Sequence, residues 1–256
     1  MTTNCKNCNH NFEGEFCPIC GQTIHTHEIN FTSIIHEIQH SLLHIDKGIL
    51  YTTKELFSRP GHTIKEYING KRVKHFKPIA YILVLSTIYT LLTNVTHQSS
   101  YFDKMLQGAT NGSKGGSNHS LDLFVELLKW LANHYAYATL IFIPLASLAS
   151  YLAFFRAKYN YFQHIILNAF VAGQKTVIFL VMLPITYIFN NQNLTDTIDV
   201  LTLLAGIILS FWSYFQFFNS TKPYKRILLI IWAYVLNLLL ILGLLITLAK
   251  ISKMMN

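Results

Sequence analysis

Five stretches of this 256-residue chain are apolar over about twenty residues each, and nothing else in it limits the fold so strongly. They run over about 78–95, 135–155, 164–189, 197–218 and 227–249. A backbone that leaves water must satisfy its own N–H and C=O groups, so stretches of this length read as membrane-spanning helices. Pro144 and Pro184 fall inside two of them, where a membrane helix tolerates a kink. The chain is 52% hydrophobic and only 12% charged, which excludes an ordinary water-soluble domain. The expected fold class is an all-α integral membrane protein of about five transmembrane helices. A small zinc ribbon (1–25) and amphipathic juxtamembrane helices (26–77) precede the membrane domain (78–256).

Charge placement predicts orientation. With the N-terminus inside, segments 1–77, 156–163 and 219–226 hold 9, 2 and 3 Lys+Arg, fourteen together. The opposite segments, 96–134, 190–196 and the tail after Ala249, hold 3, 0 and 2, five together. Lys175, within a span, completes the twenty. This asymmetry follows the positive-inside rule, so the net charge of +8 is mostly topological. Residues 1–77 balance nine basic against seven acidic residues, and no nucleic-acid partner is expected. The expected location is a bacterial cytoplasmic membrane, multi-pass, with the N-terminus cytoplasmic and the C-terminus outside.

All four cysteines lie in the first twenty residues, as Cys5-Lys-Asn-Cys8 and Cys17-Pro-Ile-Cys20. Paired C-x2-C units present four thiolates to one zinc ion. Gly21 follows the second pair, where such a knuckle needs a residue tolerant of positive φ, and Asn7 and Asn9 suit the first knuckle for a similar reason. Disulfides would require an oxidising compartment, and no secretory signal precedes this start. Four thiolates leave no open coordination position, so Cys5, Cys8, Cys17 and Cys20 are expected to hold a structural zinc, and no catalytic residue is assigned.

Between the cysteines and the first span, Phe31, Ile34, Ile35, Ile38, Leu42 and Ile45 share one face at helical spacing. Thr52-x-x-Glu55 and Thr63-x-x-Glu66 read as capping boxes, with Arg59-Pro60-Gly61 breaking the chain between them. These short helices are expected to lie on the inner leaflet. His36-Glu37-Ile38-Gln39-His40 matches H-E-x-x-H, whose two histidines can hold a metal with Glu as general base. No third ligand is placed by spacing, and the segment is rich in histidine generally. In the fourth span, Trp212, Tyr214, Phe215, Phe217 and Phe218 read as an interfacial aromatic belt. In the third, Lys175, Asn168 and His164 form a polar stripe expected to face the bundle interior, with Asn237 or Asp199 as partners. Leu121–Asn133 reads as a short helix at the outer interface.

The runs FCPICGQ, HIDKGILYTTKELFSRPGHTIKEYINGKR and KHFKP resemble a membrane family of unknown function common in Bacteroidetes, in which a zinc ribbon precedes several transmembrane helices. The resemblance is closest over residues 5–78. It implies the same four cysteine ligands and a cytoplasmic-membrane location, and it supplies no reaction. The expected function is a scaffold whose ribbon docks a cytoplasmic protein, embedded in the lipid bilayer and able to form homo-oligomers. The alternatives are a transporter or channel using the polar third span, and a membrane metallohydrolase using His36, Glu37 and His40.

The charge count generates a direct prediction. In a background lacking the native cysteines, Ser117→Cys reacts with a membrane-impermeant thiol reagent applied from outside, and Tyr159→Cys does not. The reverse labelling pattern would invert the orientation.

Overall fold

The computed structural model describes residues 2–24, 26, 29–32, 34, 48–98, 129–131, 134–189 and 191–254. The chain begins with a hairpin of two-residue strands, β1 (Thr3–Asn4) and β2 (Asn11–Phe12), paired antiparallel with Thr3 opposite Phe12. Two short helices follow, α1 (Gly48–Ser58) and α2 (Pro60–Ile68). Five long ones follow among the described residues: α3 (Pro78–Thr96), α4 (Tyr135–Ala153), α5 (Tyr161–Phe189), α6 (Gln192–Phe217) and α7 (Pro223–Met254). All five are long and apolar enough to cross a membrane. The protein is therefore a multi-pass, all-helical membrane protein carrying a small N-terminal cysteine module.

Prolines set several boundaries. Pro60, Pro78 and Pro223 each open a helix, where the missing N–H would have had no intrahelical partner. His97 closes α3 in the left-handed conformation at φ 52°. Pro144 and Pro184 lie inside α4 and α5, which continue through them.

Helix α5 is the axis of the bundle. It packs along α3, α4 and α6 and meets α1 and α2 through Gln174 and Phe170. Of its most apolar window 56% is buried, against 11% for α7, which is the least covered of the five long helices. Small residues permit the closest approaches: Gly173 of α5 receives the ring of Tyr81 from α3, and a Cβ there would overlap it. Ser147, Ala149, Ser150 and Ala153 line the buried face of α4.

Helices α1 and α2, expected on the inner leaflet, cover part of their apolar faces with protein, while Leu50 and Phe57 of α1 stay exposed. They pack onto the bundle. Leu56 and Ile64 are fully buried, and Tyr67 meets Phe170 of α5 edge-on with ring centres 5.3 Å apart. An apolar helix face is satisfied equally by lipid or by protein, and sequence pattern does not say which. Of the aromatic group at the end of α6, Tyr214, Phe217 and Phe218 belong to the core, and Trp212 and Phe215 are half-buried. Phe217 and Phe218 are fully buried, and Phe218 stacks on Phe154 at 3.7 Å. The two capping-box readings also fail, since Thr52 and Thr63 both lie inside helices. Thr52 instead accepts the Phe76 N–H (2.7 Å), and Thr63 donates back to the Arg59 carbonyl (3.0 Å).

The α1–α2 break carries the contact with the bundle. Gly61 meets α6 so closely that a Cβ would overlap the backbone nitrogen of Phe217 and the side chain of Gln216. Gly61→Ala must push α2 off α6, and an overpacked core site costs about 1–3 kcal/mol. Thermal unfolding of the purified protein in detergent is expected to shift down accordingly. An unchanged melting temperature would show that this contact is loose.

Candidate functional site

The four cysteines occupy two matching knuckles. In the first, the Asn9 N–H donates to the Cys5 carbonyl (2.8 Å) and the Cys5 N–H donates to the His10 carbonyl (2.9 Å). In the second, Gly21 donates to Cys17 (2.8 Å) and Cys17 donates to Gln22 (2.9 Å). Asn9 (φ 60°) and Gly21 (φ 73°) supply the left-handed residue that closes each turn. Sulfur atoms from the two knuckles interleave: Cys5 lies 3.5 Å from Cys20, and Cys8 lies 3.5 Å from Cys17. All four sulfurs fall within 4.8 Å of one another. A disulfide needs about 2.05 Å, so these are free thiols. Tetrahedral coordination at about 2.3 Å places sulfurs about 3.8 Å apart, close to what is found. The cluster can therefore hold one metal ion.

The thiols' electrostatics fit that reading. Burial works against ionising Cys20, but the Gln22 backbone, the Asn7 side chain and the neighbouring thiols outweigh it and lower the thiol to about 6. The His10 backbone favours the Cys8 thiolate, yet burial and the other three thiols push it up to about 12. Without a cation the cluster thus resists carrying four charges together.

The module is seated on the turn after α2. The N–H of Arg72 donates to Oε1 of the buried Gln22 (3.4 Å), and Lys6 Nζ donates to the Thr26 carbonyl (3.3 Å). Gly70 sits at φ 105°, where a Cβ would press on the Lys6 side chain at 2.8 Å. Arg72 in turn lies over the Tyr67 ring at 5.3 Å. Above this, Arg59 binds Glu55 (2.6 Å) and Glu66 (3.3 Å), clamping α1 to α2. Burial alone would raise the Glu66 carboxyl; Arg59 and Lys71 outweigh it and hold it below its ordinary value. The H-E-x-x-H residues His36, Glu37 and His40 lie outside the described residues, as does most of the Phe31–Ile45 face and of Leu121–Asn133.

A second polar constellation lies within the bundle. His164 and Ser150 are both fully buried, with Ser150 Oγ 2.9 Å from His164 Nδ1. Asn168 donates to Ser150 Oγ (3.2 Å) and to the His164 carbonyl (2.8 Å), and its Oδ1 accepts from Tyr214 (2.6 Å). The network joins α4, α5 and α6. Beside it, Asn168, Lys175, Ser210, Tyr214, Tyr234 and Asn237 line a cavity of about 60 Å3. The stripe on α5 thus faces inward, and Asn237 shares the cavity with Lys175, whereas Asp199 does not line it. Asn237 Oδ1 is buried without a hydrogen-bond partner. Ser150 and the hydrogen-bonding role of Tyr214 were invisible to the sequence reading. The available signal was the small-residue face of α4, which marks where polar side chains can reach across.

Tyr214→Phe leaves the Asn168 carbonyl buried without its donor and is expected to cost about 1–3 kcal/mol. Asn237→Leu removes an oxygen that is already unpaired and is expected to cost much less. Thermal unfolding of the two variants side by side tests the contrast. Equal losses would show that Asn237 has a partner in the working protein.

Residues 46–90 match the model of a family described as "Protein of unknown function (DUF3667)". The matched span covers α1, α2 and most of α3, and it begins after the four cysteines. No curated protein and no solved structure matches the chain. The similarity therefore rests on the α1–α2 hairpin and its entry into the first span, where Arg59-Pro60-Gly61, Tyr67 and Gly70 make the contacts just described.

Proposed function

We propose that the protein is a membrane-anchored docking platform in which a structural zinc ion, held by Cys5, Cys8, Cys17 and Cys20, rigidifies a recognition module on the cytoplasmic face. The observation that carries this reading is the surface of the second knuckle: Phe16 and Ile19 are 62% and 66% exposed. A module so small normally hides such residues, and this one already buries Phe12 beside Cys5 and Cys17. Two exposed apolar side chains on a metal-held turn form a compact contact point for a protein partner. The four cysteines supply a complete ligand set, so the ion's contribution is folding and rigidity, with no position left for a substrate. The charge distribution supports, by the positive-inside rule, a module on the cytoplasmic side of a bacterial inner membrane.

A second reading has its own observation. Lys175, Asn168 and Asn237 line one small cavity between α4, α5, α6 and α7, which favours a pathway for a small ion across the membrane. Such a pathway would need further opening, because about 60 Å3 holds only one or two waters.

The purified chain is expected to contain one zinc per molecule. A strong chelator should make residues 1–24 protease-sensitive and leave the five long helices intact. A photo-crosslinking residue at Ile19 should give a discrete protein adduct in cells, lost on Cys17→Ser and reduced by Phe16→Ser at unchanged zinc content. Zinc-free protein with four alkylatable thiols would overturn the structural-metal role. An adduct indifferent to both substitutions would overturn the docking role. Anion flux in liposomes that vanishes in Lys175→Leu would instead establish the second reading.

A further inference from the structure

Two turns at the same end of the bundle, one between α4 and α5 and the other between α6 and α7, enclose a recess of about 550 Å3. Its lining includes Arg156 and Lys158 from the first turn and Ser220, Thr221 and Lys225 from the second. Neither turn contains an acidic residue: the first reads FFRAKYN (154–160) and the second NSTKPYKR (219–226). Three cations and two hydroxyls therefore face a shared space with no acid in either turn to neutralise them.

The recess is held in shape. Arg226, itself buried, donates to the carbonyls of Phe215 (2.7 Å), Asn219 (3.1 Å) and Thr221 (2.7 Å) and fixes the second turn. The first turn is a single 3-10 turn, Phe155–Ala157, closed by Lys158 at φ 60°, with the Arg156 guanidinium 5.2 Å from the centre of the Phe155 ring. Fully buried Phe154 and Phe218 stack beneath and tie the two turns together.

Below the cations the surface becomes apolar. Leu148, Leu152 and Phe155 are exposed on the α4 side, and Leu228 and Trp232 on the α7 side. Leu229 of α7 lines the recess directly. A basic pocket continuous with two exposed apolar helix faces matches one kind of molecule, a charged head with acyl chains attached. The volume lies within the range of small-molecule sites.

We propose that this recess binds the phosphodiester headgroup of an anionic phospholipid, with Arg156, Lys158 and Lys225 on the phosphate and the acyl chains along the exposed faces of α4 and α7. Ser220 and Thr221 supply hydroxyl contacts to the headgroup. The site is separate from the cysteine module and from the Lys175 cavity.

The test uses the full chain in detergent, titrated with phosphatidylglycerol or phosphatidylcholine and read by native mass spectrometry. The expected result is one tightly held phosphatidylglycerol, preferred over phosphatidylcholine. Each neutralised cation should weaken it about fivefold, and Arg156→Gln/Lys158→Gln/Lys225→Gln about 100-fold. Lys222→Gln, in the same turn but not lining the recess, should change nothing. Should the triple variant elute as misfolded protein, Lys225→Gln alone serves, since its side chain is exposed. Equal weakening by Lys222→Gln would reduce the effect to general surface charge and overturn the proposal. So would displacement of the lipid by millimolar inorganic phosphate, which would assign the recess to a soluble phosphate.

Discussion

Pro60 creates a defect that two glutamines repair, and the repair fastens α1 and α2 to α5 and α6. In a continuous helix the Leu56 carbonyl would accept from the N–H of residue 60, but proline has none. Gln174 of α5 donates to that carbonyl instead (2.9 Å). On the other side of the break, the Gly61 N–H opens α2 without an intrahelical acceptor and donates to Gln216 Oε1 of α6 (3.1 Å). Gln174 spends its own oxygen on Ser213 of α6 (3.1 Å). Four helices thus meet at one satisfied polar node in an otherwise apolar setting. Each bond there exists because leaving its partner bare would cost more than an ordinary hydrogen bond returns. Gly61 is required for a second reason, since only a residue without Cβ lets α6 come close enough for Gln216 to reach.

The parts of this fold that were legible in the sequence are those governed by one-dimensional rules. Length and apolarity give the five long helices, because a span must satisfy its own backbone. The cysteine spacing and the positions of Asn9 and Gly21 give the two knuckles, because the turn needs a left-handed residue there. Inward placement of Lys175 and Asn168 also follows from a one-dimensional argument, helical spacing plus the cost of a charge in lipid. What was not legible depends on which surface meets which. Phe217 and Phe218 have the composition of an interfacial belt and the location of a core. Thr52 and Thr63 have the spacing of helix caps, but the real boundary is set by Pro60, so their hydroxyls serve other groups. Ser150 gives no sign in the sequence that it faces His164.

The interior polar groups divide by whether they are satisfied. Ser150, Asn168, Gln174, Ser213 and Tyr214 all have partners, and they bind α4, α5 and α6 to one another. In lipid the unfolded alternative also finds partners, so such bonds add specificity of packing more than bulk stability. Lys175 and Asn237 differ: they line a cavity that those bonds leave open, and Asn237 keeps an unused oxygen there. A bundle selected only for stability would fill that space with a leucine.

The cysteine module reaches the bundle through a short series of contacts. Gln22 leads from the second knuckle to the Arg72 backbone, Arg72 covers Tyr67, and Tyr67 packs on Phe170 in the centre of α5. Asn160, in the turn before α5, adds a second strut by donating to the Ile29 carbonyl (3.1 Å). Every link but the first is a side chain held from both sides, so displacement of the module is opposed at each step. The first link is the weakest: a 3.4 Å bond whose acceptor depends on the second knuckle keeping Gln22 in place. Since that knuckle closes on Cys17 and Cys20, whatever holds the four sulfurs together also decides whether the module moves with the bundle or independently of it. Whatever binds the four sulfurs therefore has a route of contacts to the membrane helices.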